Sequence, residues 1–248
     1  MSTGTVASLW RHPIKSHGRE EVTETVLSPG KPMPFDRLWA VAHERSSADG
    51  STWVPCQNFS RVAKAPSLMA IRARLDEANG TVTLSHPERD DLTFDPDREG
   101  DRLIAWAEEM IPENRARSAR VIRALTNGFT DSDFPSVTLC NAASHRAVEQ
   151  RVGQSLSPER WRGNIWIDGL GPWEEFEWTD HEVRIGEAVL RVRERTDRCL
   201  STHANPETGR RDADVLPALD SWGHRDFSVR AEVLQGGAVR QGDPVERL

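Results

Sequence analysis

Long apolar runs are absent from this chain, and none approaches the roughly 20 residues that a membrane-spanning helix needs. Its first residues, Met1 to Ala7, lack a basic stretch followed by an apolar core. No secretory signal is therefore expected, and the expected location is the cytoplasm, with no membrane partner. Cysteine is scarce, at three residues in 248. Cys56, Cys140 and Cys199 stand far apart and no Cys-x-x-Cys pair occurs, which disfavours zinc ribbons and thioredoxin-type redox sites. An iron–sulfur cluster normally takes four cysteine thiolates, more than this chain offers by itself. Net positive charge is missing too. The formal charge is −7 at neutral pH, which argues against a general nucleic-acid surface. Tyrosine does not occur, beside nine tryptophans.

What is present is a polar, globular composition: 37% hydrophobic and 29% charged residues. At this length the chain is one large or two small domains, each able to bury a core. Alternating apolar and polar residues predict strands over 3–10, 20–27, 36–42, 136–141, 161–169 and 227–234. Asn79-Gly80 and Gly186-Glu187 mark hairpins. Helical spacing predicts a helix over 101–111 ended by Pro112, another from Ala143-Ser144 to Gly153, and a helical turn over 214–219. Ser157-Pro158 reads as an N-cap with proline behind it. Residues 112–120 are polar and Arg-rich and carry the nominal boundary between domains 1–115 and 116–248. Many short strands with few helices predict a mainly β, α+β molecule built on closed barrels.

Two kinds of segment carry chemistry. Strand ends are basic: Lys15-Ser16 follows the first strand, Asp36-Arg37 opens a later one, and Arg162 stands near another. Lysine, serine and arginine there suit a phosphate, through point charge, neutral donors and a guanidinium fork. The ordinary alternatives are a solvated turn and a surface ion pair. The strand-to-helix turn over 141–144 is a second candidate anion site, because a helix N-terminus offers unpaired N–H groups. The other segment is Arg193-Glu194-Arg195-Thr196-Asp197-Arg198-Cys199. Cationic neighbours favour a thiolate, which a soft metal or an electrophile requires. The alternative is a small apolar residue near a strand end.

Taken together, five stretches resemble the MOSC family, in the subgroup with its own N-terminal barrel. His12-Pro13-Ile14-Lys15-Ser16 is similar to its P-[VI]-K-S motif, and Asp36-Arg37-Leu38-Trp39 to D-R-x-W. Trp161-Arg162-Gly163-Asn164-Ile165 resembles F-R-P-N. Arg198-Cys199-Leu200-Ser201-Thr202 with Asn205-Pro206-Glu207-Thr208-Gly209 resembles R-C-x-x-T-x-x-[DN]-P-x-T-G, and Val239 to Val245 matches the usual ending. The resemblance implies an N-terminal β-barrel domain packed on a MOSC β-barrel domain. It implies a molybdenum cofactor, a molybdopterin, whose metal is ligated by Cys199, the catalytic residue. Lys15, Ser16 and Arg37 would hold the pterin phosphate, with Asn141, Ser144, Arg162 and Asn164 lining the pterin and Arg198 and Thr202 flanking the ligand.

The implied activity is reduction of N-hydroxylated or N-oxide small molecules, independent of pyridoxal phosphate. A separate donor protein, of ferredoxin, flavoprotein or cytochrome type, would supply the electrons. The alternative is a carrier that binds the cofactor, or moves sulfur through a Cys199 persulfide, without reductase activity. Two departures stand out. Gly163 replaces the motif's proline and is expected to loosen the loop holding Arg162 and Asn164. His203 stands where threonine is common, either exposed, as expected here, or a proton donor at the metal.

Overall fold

In the computed structural model residues 3–248 are described. The first half contributes β1 (Gly4–Arg11), β2 (Glu20–Val22), β3 (Glu24–Leu27), β4 (Trp39–His43), β5 (Arg72–Asp76), β6 (Thr81–His86), β7 (Arg89–Phe94), α1 (Gly100–Ala107) and β8 (Ser118–Arg123). The second half contributes β9 (Val137–Asn141), α2 (Ala142–Val152), β10 (Ile165–Asp168), β11 (Glu182–Ile185), β12 (Ala188–Asp197), α3 (Val215–Asp220), β13 (Asp226–Gln235), β14 (Gly237–Arg240) and β15 (Pro244–Arg247). The molecule is mainly β with few helices. Among the described residues no helix is long and apolar enough to cross a membrane.

Seven strands close into a barrel in the order β10-β9-β13-β12-β11-β15-β1, and the pairing of β1 with β10 seals the ring. Val6 and Leu9 of β1 both turn inward, into one core with Leu139, Ile165, Leu190 and Val229, because a bulge between Val6 and Ser8 shifts the alternation by one residue. Burial of each such side chain contributes about 1.5–3 kcal/mol. Among the strands of the described residues only β9 and β10 pair in parallel, and a parallel pair needs a crossover. Here it is α2, capped by the Asn141 side chain at its start and by Gly153 in the left-handed region at its end.

A second core lies in the N-terminal half, between the β5-β6-β7 meander, the β4-β8 pair and α1. Trp39, Leu68, Ile71, Leu84, Phe94 and Leu103 fill it. Ala204, five residues past Cys199 in the chain, is buried in this same core. That contact ties the cysteine segment of the C-terminal half to the N-terminal half.

The division at 115/116 is crossed by paired strands in both directions. β1 belongs to the C-terminal barrel, β3 pairs with β14, and β8, beyond the boundary, pairs with β4. Several strands are shorter than their alternation predicts. Residues 20–27 break at Thr23 between β2 and β3. Arg37 and Arg162 have φ of 51° and 52°, outside the extended region, so β4 begins only at Trp39 and β10 only at Ile165.

Candidate functional site

The loop between β1 and β2 is built on a buried carboxylate. Asp36 accepts from the His12 backbone N–H at 2.8 Å and lies 3.2 Å from His12 Nδ1. Its other oxygen pairs with the Arg37 guanidinium. The Asp-Arg dipeptide is therefore a buried anchor rather than a surface pair. Burial works to raise the Asp36 pKa, yet the Arg37 charge and the His12 hydrogen bonds outweigh it and hold the carboxyl well below the usual range. Around this anchor the Arg37 N–H donates to His12 O and the Lys15 N–H to Trp39 O, both at 2.7 Å. Lys15 and Arg37 are thereby set on one wall.

That wall borders a cleft of about 790 Å³, including its open mouth. Lys15, Ser16, Arg37, Arg162, Arg198 and Cys199 all line it, so six of the expected site residues, from four separate segments, meet in one place. Three of them, Ser16, Arg37 and Arg162, have φ between 51° and 64°. A left-handed backbone costs a non-glycine residue about 1 kcal/mol or more, and such strain collects at functional sites.

Arg162 is the most demanding member. Its Nη2 donates to Gly18 O at 3.1 Å and its carbonyl accepts from Arg37 Nη2 at 2.7 Å. Its Nη1 is buried without any partner. Burial, then the nearby Arg37 and Arg19 charges, pull its pKa down to about 9. A buried guanidinium nitrogen without an acceptor is costly, and an oxyanion in the cleft would relieve it.

Lys15 Nζ donates to Phe129 O at 2.8 Å and pairs with Asp131. Withdrawal from water pushes the Asp131 pKa up, but the Lys15 ammonium more than reverses this and keeps the carboxylate ionised. Cys199 is exposed, with Sγ 3.2 Å from Ser201 Oγ. Arg198 beside it faces inward: its guanidinium donates to Trp161 O and Phe227 O at 2.8 Å and to Ser228 Oγ at 2.6 Å. Thr202 is buried and donates its N–H and its hydroxyl to Cys199 O at 3.1 and 3.0 Å. Thr202 holds the cysteine's backbone, while Arg198 lines the cleft with its donors turned to the Trp161, Phe227 and Ser228 side.

Family models cover the chain in two parts. The MOSC N-terminal beta barrel domain matches residues 3–118 and the MOSC domain matches residues 128–246. The chain belongs to the MOSC family. This MOSC protein is 25% identical to mitochondrial amidoxime-reducing component 1 of Mus musculus over 99% of its own length and 82% of that protein. It is 25% identical to mitochondrial amidoxime reducing component 2 of Rattus norvegicus over 99% and 83%. A molybdenum cofactor sulfurase of Drosophila grimshawi is 27% identical over 60% of this chain and 18% of its own. The solved YUAD protein from Bacillus subtilis is 13% identical, with a TM-score of 0.48, over 99% of this chain and 97% of that one.

Three expected pterin contacts of this MOSC chain do not line the cleft. Asn141 and Ser144 are fully buried and donate to Glu175 Oε2 at 2.7 and 2.9 Å. Asn141 also accepts from Ala143 N at 2.8 Å. The helix N-terminus predicted to take an external anion is thus capped from within, and a carboxyl of the same chain occupies the adjacent donors. Burial raises the Glu175 pKa, partly offset by those two hydrogen bonds. Asn164 is likewise structural. Its side chain accepts from Thr138 N at 3.0 Å and donates to Trp10 O at 3.1 Å, joining β1 to the start of β9.

Two further expectations are corrected. His203 is buried, not exposed, because its Nε2 accepts from Leu216 N at 3.1 Å at the start of α3. It does not line the cleft. The Gly163 loop is not loosened, since the residues on either side of it are hydrogen-bonded and Gly163 itself packs on Cys140. Other lining residues were not singled out from sequence: Cys56, Arg61, Asp131 and Arg230. Their segments read as loop or strand, and only long-range packing brings them to the MOSC cleft.

Proposed function

We propose that the cleft binds a molybdenum cofactor through Cys199 and that the protein reduces N-hydroxylated or N-oxide compounds with electrons from a separate donor protein. The observation that carries this reading is the pairing, in one cleft, of an exposed thiol with a buried guanidinium nitrogen that lacks an acceptor. Relatives named for amidoxime reduction and for the molybdenum cofactor support it. The donor set fits the group. Among the described residues no cluster of three His, Cys, Asp or Glu could hold a metal ion, so a metal here must bring ligands of its own, as a pterin dithiolene does.

Lys15, Ser16, Arg37 and Arg162 hold the cofactor phosphate, and Cys199 Sγ is the one protein ligand to the metal. When bound, the cofactor supplies the two-electron centre at which the N–O bond is reduced. The overall change takes two electrons and two protons, breaks the N–O bond, and leaves the amine or amidine and water. Thr202 holds the Cys199 carbonyl and Arg198 fixes the residue before it against Trp161 and Phe227, so that the sulfur is left facing the cleft. Asp131 remains ionised and donates no proton at neutral pH, and among the described residues no histidine lines the cleft. Protons therefore enter with water through the open mouth.

The test is protein purified from a molybdenum-replete host, assayed for metal and for reduction of a model N-hydroxylated compound with an artificial electron donor. Cys199→Ser loses both metal and turnover while keeping the melting temperature within a degree or so of the parent, because the side chain is exposed. Undiminished molybdenum in Cys199→Ser removes the ligand role. Metal-loaded parent protein without turnover favours the carrier.

A further inference from the structure

We propose that Arg61 selects, among N-hydroxylated compounds, those bearing a carboxylate. This rests on the reductase reading above and names the substrate class for the same cleft.

The argument is an inventory of charge. Six cationic side chains line the cleft against a single carboxylate, Asp131. Lys15 and Arg37 each carry a carboxylate partner, Asp131 and Asp36, and are already assigned to the cofactor phosphate. Arg230 pairs with Glu194 at 2.6 Å. Arg198 spends its donors on two carbonyls and a hydroxyl. Arg162, whose Nη1 is buried without a partner, is assigned with Ser16 and Arg37 to the cofactor phosphate. Arg61 is left over. It is half-buried, and its guanidinium makes one hydrogen bond, from Nη1 to Cys56 Sγ at 2.8 Å. Among the described residues no carboxylate lies within ion-pair distance of it. A partly desolvated guanidinium with neither counter-charge nor a full set of acceptors is an unfilled site for a planar oxyanion.

Its position assigns that site to the substrate rather than to the cofactor. The phosphate group of residues sits on the loops flanking β1, β4 and β10. Arg61 comes from a different segment, a turn in which its own carbonyl accepts from Lys64 N and Ala65 N. This turn is stitched to the cysteine segment. Arg211 Nη2 donates to Ala63 O at 2.9 Å, and Ala204 packs with Val62 and Ala65. Arg61 and Cys199 thus face one cleft from two elements that are fastened together. A carboxylate on the bound compound would reach the Arg61 fork while its N–O group faces the Cys199 side.

The experiment compares 4-carboxybenzamidoxime with uncharged benzamidoxime. Binding is read by calorimetry on the purified protein, and the KM ratio by turnover with reduced methyl viologen. The parent is expected to favour the carboxylated compound at least tenfold in both readouts. Arg61→Gln brings the ratio near one, and Arg61→Lys, which keeps the charge without the fork, retains part of it. Equal affinity of the parent for the two compounds overturns the proposal. So does a fall in molybdenum content in Arg61→Gln, which would assign the residue to the cofactor. A tenfold binding preference without turnover of either compound upholds the role of Arg61 and counts against the reductase reading instead.

Discussion

Gly163 lies so close to Cys140 that a Cβ built on it would come within 2.1 Å of the sulfur. Cys140 is fully buried, and burial pushes its thiol up to about 12, so the sulfur acts as packing and not as a nucleophile. The glycine that departs from the family's F-R-P-N pattern and the buried cysteine are therefore one steric unit. Only a residue without a side chain fits beneath this sulfur.

This contact predicts a rescue. Gly163→Ala is overpacked and should destabilise the fold by about 1–3 kcal/mol. Cys140→Ala removes the sulfur and leaves the added Cβ at an ordinary 3.6 Å from its neighbours. The double variant should then be more stable than Gly163→Ala alone, read by urea denaturation of the four proteins. Strictly additive losses would refute the steric account.

Arg162 predicts a trade between stability and cofactor retention. Its unpartnered Nη1 is an uncompensated cost in cofactor-free protein. Arg162→Gln removes that buried charge, so the cofactor-free variant should melt higher than the parent, by an amount corresponding to about 1 kcal/mol. The same change should lower molybdenum content on purification. A variant that melts lower and keeps its metal would show that Arg162 serves the fold alone.

The histidines of the first loop predict acid sensitivity. Burial, then the Arg162 and Arg37 charges, lowers the His12 pKa to about 3. Burial likewise lowers that of His17 to about 4. In the unfolded chain both return to about 6.5. Between those values the unfolded chain holds protons that the folded protein refuses, so stability is full above about pH 6.5 and falls as the pH drops toward 4. The steepest loss is about 2.7 kcal/mol per pH unit if both residues contribute fully. His17→Gln should reduce the slope of unfolding free energy between pH 7 and pH 5 by up to about 1.4 kcal/mol per pH unit, while burial of His86, His145 and His203, which lowers their pKa values too, keeps part of the slope in place. A slope that does not change would place the acid sensitivity elsewhere.

The parts of the site that were legible in sequence are those carried by short local patterns. Lys15-Ser16, Arg37, Arg162 and Cys199 stand out because basic residues at strand ends and a thiol among cations have a direct chemical reading, and all of them reach one cleft. The hairpin at Asn79-Gly80, the helix ending near Pro112 and the strands of the barrel were legible from period and punctuation. Asn141 and Ser144 lie outside the cleft lining, and sequence does not show this because a free helix N-terminus looks the same there as one satisfied internally. Glu175, more than thirty residues on, decides between the two. His203 misled for the same reason, its acceptor being filled by Leu216. β8 lay hidden in an Arg-rich stretch whose partner, β4, is far away in the chain. Arg61 carried no local signal, since its meaning arises from the carboxylate it lacks.

Within the barrel β1 lies beside β15, with Gly4 opposite Val245 and Thr5 opposite Pro244. Gly4 and Val245 are thus neighbours in space although far apart in the chain, and a peptide bridge joining the two strands there would complete the circle. Reopened at the exposed Asn79-Gly80 bend, such a rearranged chain would keep every strand neighbour of the barrel. Severing the chain near 115 and discarding the earlier part would instead remove a stave and leave β10 and β15 with bare edges, so neither half is an independent unit for mapping the cleft.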